Sequence, residues 1–172
     1  MPKIVTIGGW NGQSNLLDGL YRYGDESLKI SSIVSMSDDG RTTGRLMWLF
    51  ADELWIHLPP PGDLRRCLFQ MSDSLHRGLF QKYFETLIQT SQNISDMSIP
   101  DYFIAIWANP KVVKIFEWYS DFIIPIDAPI EWLKVGNLLM ANLYYNSNKN
   151  YDTMLSIMHE LLRVQANIIP VT

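Results

Sequence analysis

The sequence contains a single cysteine, Cys67, so no disulfide can close within the chain and a cysteine-built zinc site is excluded. That usage fits a reducing compartment. No run of about 20 apolar residues is present, so no membrane-crossing helix is expected. The start, Met1-Pro2-Lys3-Ile4-Val5, enters a strand-like run at once and predicts no leader peptide. Excess positive charge is missing as well: 14 Lys and Arg stand against 18 Asp and Glu, for a net charge of −4. A general nucleic-acid surface needs the opposite balance, although a local cationic seat for one phosphate is compatible with it. The histidines His57, His76 and His159 lack metal-ligand spacing and read as structural or solvated. Together these absences point to a cytoplasmic protein without nucleic-acid or membrane partners.

What is present is an ordinary globular mix of 172 residues, 47% hydrophobic and 19% charged, with aromatics at 12%. Such a length corresponds to one domain and hides roughly 70% of the surface its unfolded form exposes. Trp48, Trp55, Trp107, Trp118 and Trp132 read as core or interface, since the neighbouring basic residues of a stacking platform are missing.

Lys3 to Ile7 is a β-branched run ending at Gly8-Gly9, the pattern of a buried parallel strand. Leu16, Leu17, Leu20 and Tyr21 recur at helical spacing from Asn15 to Tyr23, with Ser14 as the expected N-cap. Ile30 to Met36 reads as a second strand, which completes a βαβ unit. Ser37 to Gly44 is a polar loop by composition, and Arg45 to Trp55 is helical. Three prolines exclude a helix or central strand from Leu58 to Gly62. Asp63 is then expected to cap a helix through Leu64, Cys67, Leu68 and Met71, which puts Cys67 in the core. Leu79, Phe80, Tyr83, Phe84, Leu87 and Ile88 form the apolar face of another helix. Thr90 to Pro100 reads as loop, Tyr102 to Ala108 as strand or helix, Val112 to Tyr119 as helix and Ile123 to Ile130 as irregular. A helix from Gly136 to Tyr145, a helix capped by Asp152 and running through Arg163, and a strand from Asn167 to Val171 finish the pattern.

Four clusters can carry chemistry. Gly8-Gly9-Trp10-Asn11-Gly12 lies between strand and helix, where backbone amides and the helix dipole favour a phosphate. A tight βα turn without ligand has the same sequence, and the dinucleotide fingerprint G-x-G-x-x-G is not met. Ser37-Asp38-Asp39-Gly40-Arg41-Thr42-Thr43-Gly44-Arg45 follows the second strand, at the carboxyl edge where open α/β folds bind ligands. Paired Asp38 and Asp39 can hold Mg²⁺ or ribose hydroxyls, and Thr42, Thr43 and Arg45 suit phosphate. The competing reading is a solvated turn that caps the next helix. Pro60-Pro61-Gly62-Asp63-Leu64-Arg65-Arg66 sets two arginines at a helix start, against the dipole, which an anion nearby would explain; a surface basic turn is the alternative. Gly136-Asn137 either caps its helix or reaches a ligand.

In this order, Gly8 to Gly12, Ser37 to Leu46, Pro60 to Leu68 and Gly136 to Leu143 resemble the YvcK/CofD family, on the side of its YvcK-like gluconeogenesis factors. Leu161-Leu162 and Ile169-Pro170-Val171-Thr172 extend the likeness. The resemblance implies a Rossmann-like α/β fold in three layers, a mostly parallel sheet flanked by helices, as a single domain over residues 1–172. A stretch at about 90–134 is an expansion foreign to the family pattern. YvcK-like members are cytoplasmic, bind UDP-sugars such as UDP-N-acetylglucosamine, and are linked to cell shape and growth on gluconeogenic carbon. The CofD branch is a 2-phospho-L-lactate transferase acting on a deazaflavin precursor with Mg²⁺ and a GDP leaving group. Departures from the family pattern are Trp10-Asn11 for Gly-Thr, Arg41-Thr42-Thr43 for Gly-Ser-Ser, Arg66 for Asn and Leu133 for His. Family members also continue for roughly as long again.

The resemblance and the clusters support a nucleotide-sugar-binding protein. Amides of Gly8, Gly9, Asn11 and Gly12 hold a phosphate, Asp38 and Asp39 take ribose or a metal, and Gly40, Thr42, Thr43, Gly44 and Arg45 face the diphosphate. Gly62, Asp63 and Arg65 close the site and Gly136 and Asn137 face it. The alternatives are a phospholactate-type transferase on the same loops, and a ligand-free interaction module that pairs with another chain or forms a homo-oligomer.

Overall fold

The computed structural model describes residues 2–24, 27–73, 77–78, 84–85, 87–88 and 131–171. Three parallel strands, β1 (Lys3–Gly8), β2 (Lys29–Ser35) and β3 (Asn167–Val171), form a sheet in the order β1-β2-β3. Helix α1 (Trp10–Tyr23) joins β1 to β2, so the expected βαβ unit is present. Then come α2 (Arg41–Leu54), α3 (Pro61–Gln70), α4 (Val135–Asn146) and α5 (Tyr151–Leu162). The result is the α/β architecture of a parallel sheet flanked by helices.

Several element starts differ from the sequence expectation, and for the first three helices the reason is that glycine or proline caps by conformation rather than by side chain. Helix α1 begins at Trp10 with Gly9 as N-cap, not at Ser14, whose hydroxyl instead donates to the Asn11 carbonyl at 3.1 Å. Helix α2 begins at Arg41 with Gly40 as N-cap, so the second half of the expected polar loop is helical. Pro60 is the N-cap of α3 and Pro61 its first residue, where a missing N–H costs nothing. Asp63 therefore lies inside the first turn. Lys134 precedes α4, and the Asn150 side chain, not Asp152, caps α5 by accepting from the Thr153 N–H at 2.9 Å.

The core gathers Leu17, Val34, Leu46, Phe50, Leu64 and Leu68 around α3, which is buried on nearly every side. Cys67 is core, as expected. Trp48, Trp55 and Trp132 are exposed and not core. One sheet face packs on helices. Its buried hydroxyls, Thr6 and Ser32, both accept from the Gln13 amide, at 2.7 and 2.6 Å, which fixes α1 on the sheet. On the opposite face Val5 and Ile7 are 62% and 76% exposed. Ile7, Ile33 and Ile169 stand in one row across the strands there. Parallel sheets are generally covered on both faces, which makes this bare apolar row unusual.

The described residues on either side of residues 89–130 are tied together. Ile88 donates to the Leu133 carbonyl at 2.9 Å and Trp132 to the Ile88 carbonyl at 2.8 Å, beside an antiparallel Leu87–Lys134 bridge. The segments read above from Thr90 to Ile130, with Trp107, Trp118 and His76, lie outside the described residues, as does most of the helix expected through Leu79 and Tyr83.

The two faces predict opposite mutational costs. Leu46→Ala, in the closed core, should lose about 2–5 kcal/mol. Ile7→Thr keeps the β-branch on the open face and should stay within about 0.5 kcal/mol. Urea denaturation of both variants checks the contrast.

Candidate functional site

The site builds from the carboxyl ends of β1 and β2, the edge at which open α/β sheets take ligands. Past β1 the chain passes through extended Gly9 into α1. A side chain at Gly9 would lie 3.2 Å from both the Asp63 Oδ2 and the Ser35 Cβ, so this loop, α3 and β2 meet there. The Trp10 N–H donates to that same Asp63 oxygen at 2.9 Å. Asp63 thus caps the start of α1 rather than its own helix. Past β2, Asp38 accepts from the Gly40 N–H at 3.2 Å and from the Thr43 hydroxyl at 3.5 Å. A side chain at Gly62 would come within 2.6 Å of Asp38 Oδ2 and 2.7 Å of Thr43 Oγ1. Gly9, Asp38, Gly40, Thr43, Gly62 and Asp63 therefore converge from three loops.

Other expected site residues have structural tasks. The space over Gly8 is filled by Gln13, whose Oε1 lies 2.8 Å from where a Cβ would be. Gly12 has open space above it, and Asn11 is exposed. Gly44 lies against the Asp39 carbonyl, 2.0 Å from a notional Cβ. Asp39 is exposed and Thr42 half-buried. Arg45 donates to the Glu131 carbonyl at 2.7 Å. Arg65 is only 1% exposed. Its Nε donates to Asn137 Oδ1 at 2.8 Å and its Nη1 to the Phe84 carbonyl at 3.0 Å and to Glu85, which also pairs with Lys134. Asn137 is buried and donates to Thr43 Oγ1 at 3.2 Å. Gly136 makes room for Arg65, since a Cβ there would strike its Cδ at 2.5 Å.

Sequence reasoning missed Glu85, Lys134 and Gln13. A lone acid in an apolar helical stripe and a lysine just ahead of the Gly136-Asn137 pair were the available signals. A cleft of 480 Å³ lined by Met36, Pro59, Tyr151, Asp152, Leu155 and Pro170 lies beside β3 and includes none of the expected residues. Its lining is mainly apolar, with Tyr151, Asp152 and Asn167 as its polar side chains, so the loop cluster is the better candidate.

Burial pushes the Asp63 carboxyl up, and the Asp38 charge adds to this while the Trp10 N–H opposes it. Burial lowers the Arg65 guanidinium against the pull of Glu85. For Glu85, burial resists ionisation, yet the Arg65 and Lys134 charges hold its carboxyl down at about 2. Burial drives the Cys67 thiol up to about 12, which removes it from nucleophilic or metal chemistry. Among the described residues no group of three or more His, Cys, Asp or Glu can hold a metal. Asp38 and the Thr43 hydroxyl, 3.5 Å apart, nonetheless offer oxygen donors only. That chemistry fits Mg²⁺, which takes one or two carboxylates and keeps its other positions for water and phosphate.

Both glycine loops enter their helices through a left-handed residue, Trp10 at φ 56° and Arg41 at φ 48°. These are two positions where the family pattern has glycine. A bulky side chain there costs roughly 1–2 kcal/mol. Trp10 is 69% exposed and contributes little packing. Trp10→Gly should therefore stabilise the protein by about 1 kcal/mol in chemical denaturation.

Glu85 supplies a pH-dependent contribution. Its folded value lies below the ordinary 4.5, so its stabilisation is present above that pH and is lost as pH falls toward about 2. The thermal midpoint of Glu85→Gln should lie below that of the unaltered protein above pH 4.5, with the gap closing as pH falls toward about 2.

A family described as 2-phospho-L-lactate transferase CofD matches residues 4–172. Similar curated proteins include a putative gluconeogenesis factor of Nostoc sp., 45% identical over 85 residues, or 48% of this chain and 17% of that protein. The gluconeogenesis factor of Bacillus subtilis is 44% identical over 85 residues, or 48% of this chain and 24% of its own. A solved structure from Bacillus halodurans, described as a member of the upf0052 family, aligns with a TM-score of 0.60 at 24% identity, over 99% of this chain and 39% of that one. At that identity the likeness supports the Rossmann-like fold alone. The alignments span less than a quarter of these two curated relatives. With a family match along nearly its whole length and motifs shared with the gluconeogenesis factors, the chain belongs to the CofD/YvcK family.

Proposed function

We propose that this chain is a nucleotide-sugar-binding protein of the UDP-sugar type, with a regulatory role in central carbon metabolism or cell shape. The observation that carries this is the convergence of Gly9, Asp38, Gly40, Thr43, Gly62 and Asp63 at the carboxyl ends of two parallel strands. In this reading Asp38 and Asp39 take ribose hydroxyls or, with the Thr43 hydroxyl, a Mg²⁺ ion. When bound, that ion supplies charge neutralisation to a diphosphate. Because Asp63 already accepts the Trp10 N–H, the phosphate is left the amides of Asn11 and Gly12, first-turn donors without an intrahelical acceptor. Arg45 and Arg65 are engaged with the protein and stand behind the site rather than on the phosphate.

The test is calorimetry and thermal shift with UDP-N-acetylglucosamine, UDP and GDP, each with and without Mg²⁺. A ligand that binds only the folded chain adds about 2.7 kcal/mol of stability at a hundredfold excess over Kd. UDP-N-acetylglucosamine should give this response, and Asp38→Ala should weaken it at least tenfold, about 1.4 kcal/mol. No response to any nucleotide overturns the reading. A response to GDP that requires Mg²⁺ moves it to the transferase.

A further inference from the structure

We infer that Arg65 and Asn137 are positioning residues: they form a one-way hydrogen-bond relay that sets Thr43 and Asp38 for the ligand without touching it. This rests on the nucleotide-binding reading of the site. The direction of the relay follows from what each group can do. A guanidinium only donates, so the Asn137 atom facing Arg65 Nε at 2.8 Å has to be its oxygen. That choice turns the Asn137 NH₂ toward Thr43 Oγ1, 3.2 Å away. The Thr43 oxygen accepts, which leaves its own proton for Asp38 Oδ2 at 3.5 Å, the longest link. An ionised carboxylate only accepts, so the relay ends there. Arg65, Asn137 and Thr43 are all buried, so water does not substitute along the chain.

Two glycines are shaped by the relay. Gly136 clears the Arg65 stem, and Gly62 clears the far end, where a Cβ would collide with both Asp38 and Thr43. The other Arg65 nitrogen, Nη1, is anchored on the Phe84 carbonyl and Glu85. The guanidinium is thus held from behind while it orients Asn137 in front. Four residues expected to contact ligand, Gly62, Arg65, Gly136 and Asn137, become the frame on which Asp38 is mounted.

Asn137→Asp is the informative variant. It keeps the shape and still offers Arg65 an acceptor, but it cannot donate to Thr43, which then turns its proton away from Asp38. Thr43→Val removes the hydroxyl at nearly constant volume. Binding of UDP-N-acetylglucosamine with Mg²⁺ is measured by calorimetry for both variants and for the double variant. Each single change should weaken binding about tenfold, and the pair should be no weaker than either alone, because both cut one chain. A hundredfold loss in the double variant means two independent contacts with ligand and overturns the relay.

A ligand-free arm keeps the two readings apart. In nitrogen-resolved NMR the Asn137 side-chain amide protons should exchange slowly in the unaltered protein and about tenfold faster in Thr43→Val. Unchanged exchange overturns the relay whatever the nucleotides do. Absent nucleotide binding with the exchange effect intact overturns the function and leaves the relay standing.

Discussion

A guanidinium keeps its charge at any pH a protein meets, so burying one obliges the chain around it to supply acceptors. Arg65 is that group here. It reaches Asn137 at the start of α4 and, far from it in sequence, the Phe84 carbonyl and Glu85. Removing one partner from such a buried charge costs far more than an exposed pair would. The packing of α3 against α4, the glycine at 136 and the orientation of Asn137 all follow from that single requirement. Among the described residues Arg65 Nη2 is buried without a hydrogen-bond partner of its own, which makes the remaining acceptors more important.

Two residues earlier, Asp63 imposes the complementary constraint. A desolvated carboxylate needs donors, and it finds the first amide of α1 across the sheet edge, with Arg66 nearby at 3.4 Å. Negative charge belongs at a helix start, so the contact is favourable for α1. It also takes one of the amides that a phosphate would use. Any anion bound at this loop therefore lies beside a carboxylate whose pKa burial has raised, a shift toward the neutral form that lessens the repulsion.

The departures from the family pattern have physical consequences. Trp10 and Arg41 put side chains on left-handed backbone where glycine sits at ease. Together with the exposed Val5, Ile7 and Ile169 on one sheet face, they give the described residues less cover and more strain than a closed α/β domain. The structural neighbours span well beyond this chain, which accounts for 39% of the Bacillus halodurans structure.

Much of the architecture was legible in the residues. β-branched runs at Lys3 to Ile7 and Ile30 to Met36 marked the strands, and the glycine, aspartate and proline clusters marked the loops that meet at the carboxyl edge. Helix starts were less legible, because Gly9, Gly40 and Pro60 cap by backbone conformation and leave no side-chain signature. Sequence by itself determined the βαβ unit, the core placement of Cys67, the family and the loops that gather at the carboxyl edge. Only the tertiary structure decided which of those residues face the ligand edge and which hold them in place. Asp63 meets Trp10 across 53 positions and Asn137 meets Thr43 across 94, and pairings at that range are set by how α3 packs on α1 and α4 on α2, not by any local spacing.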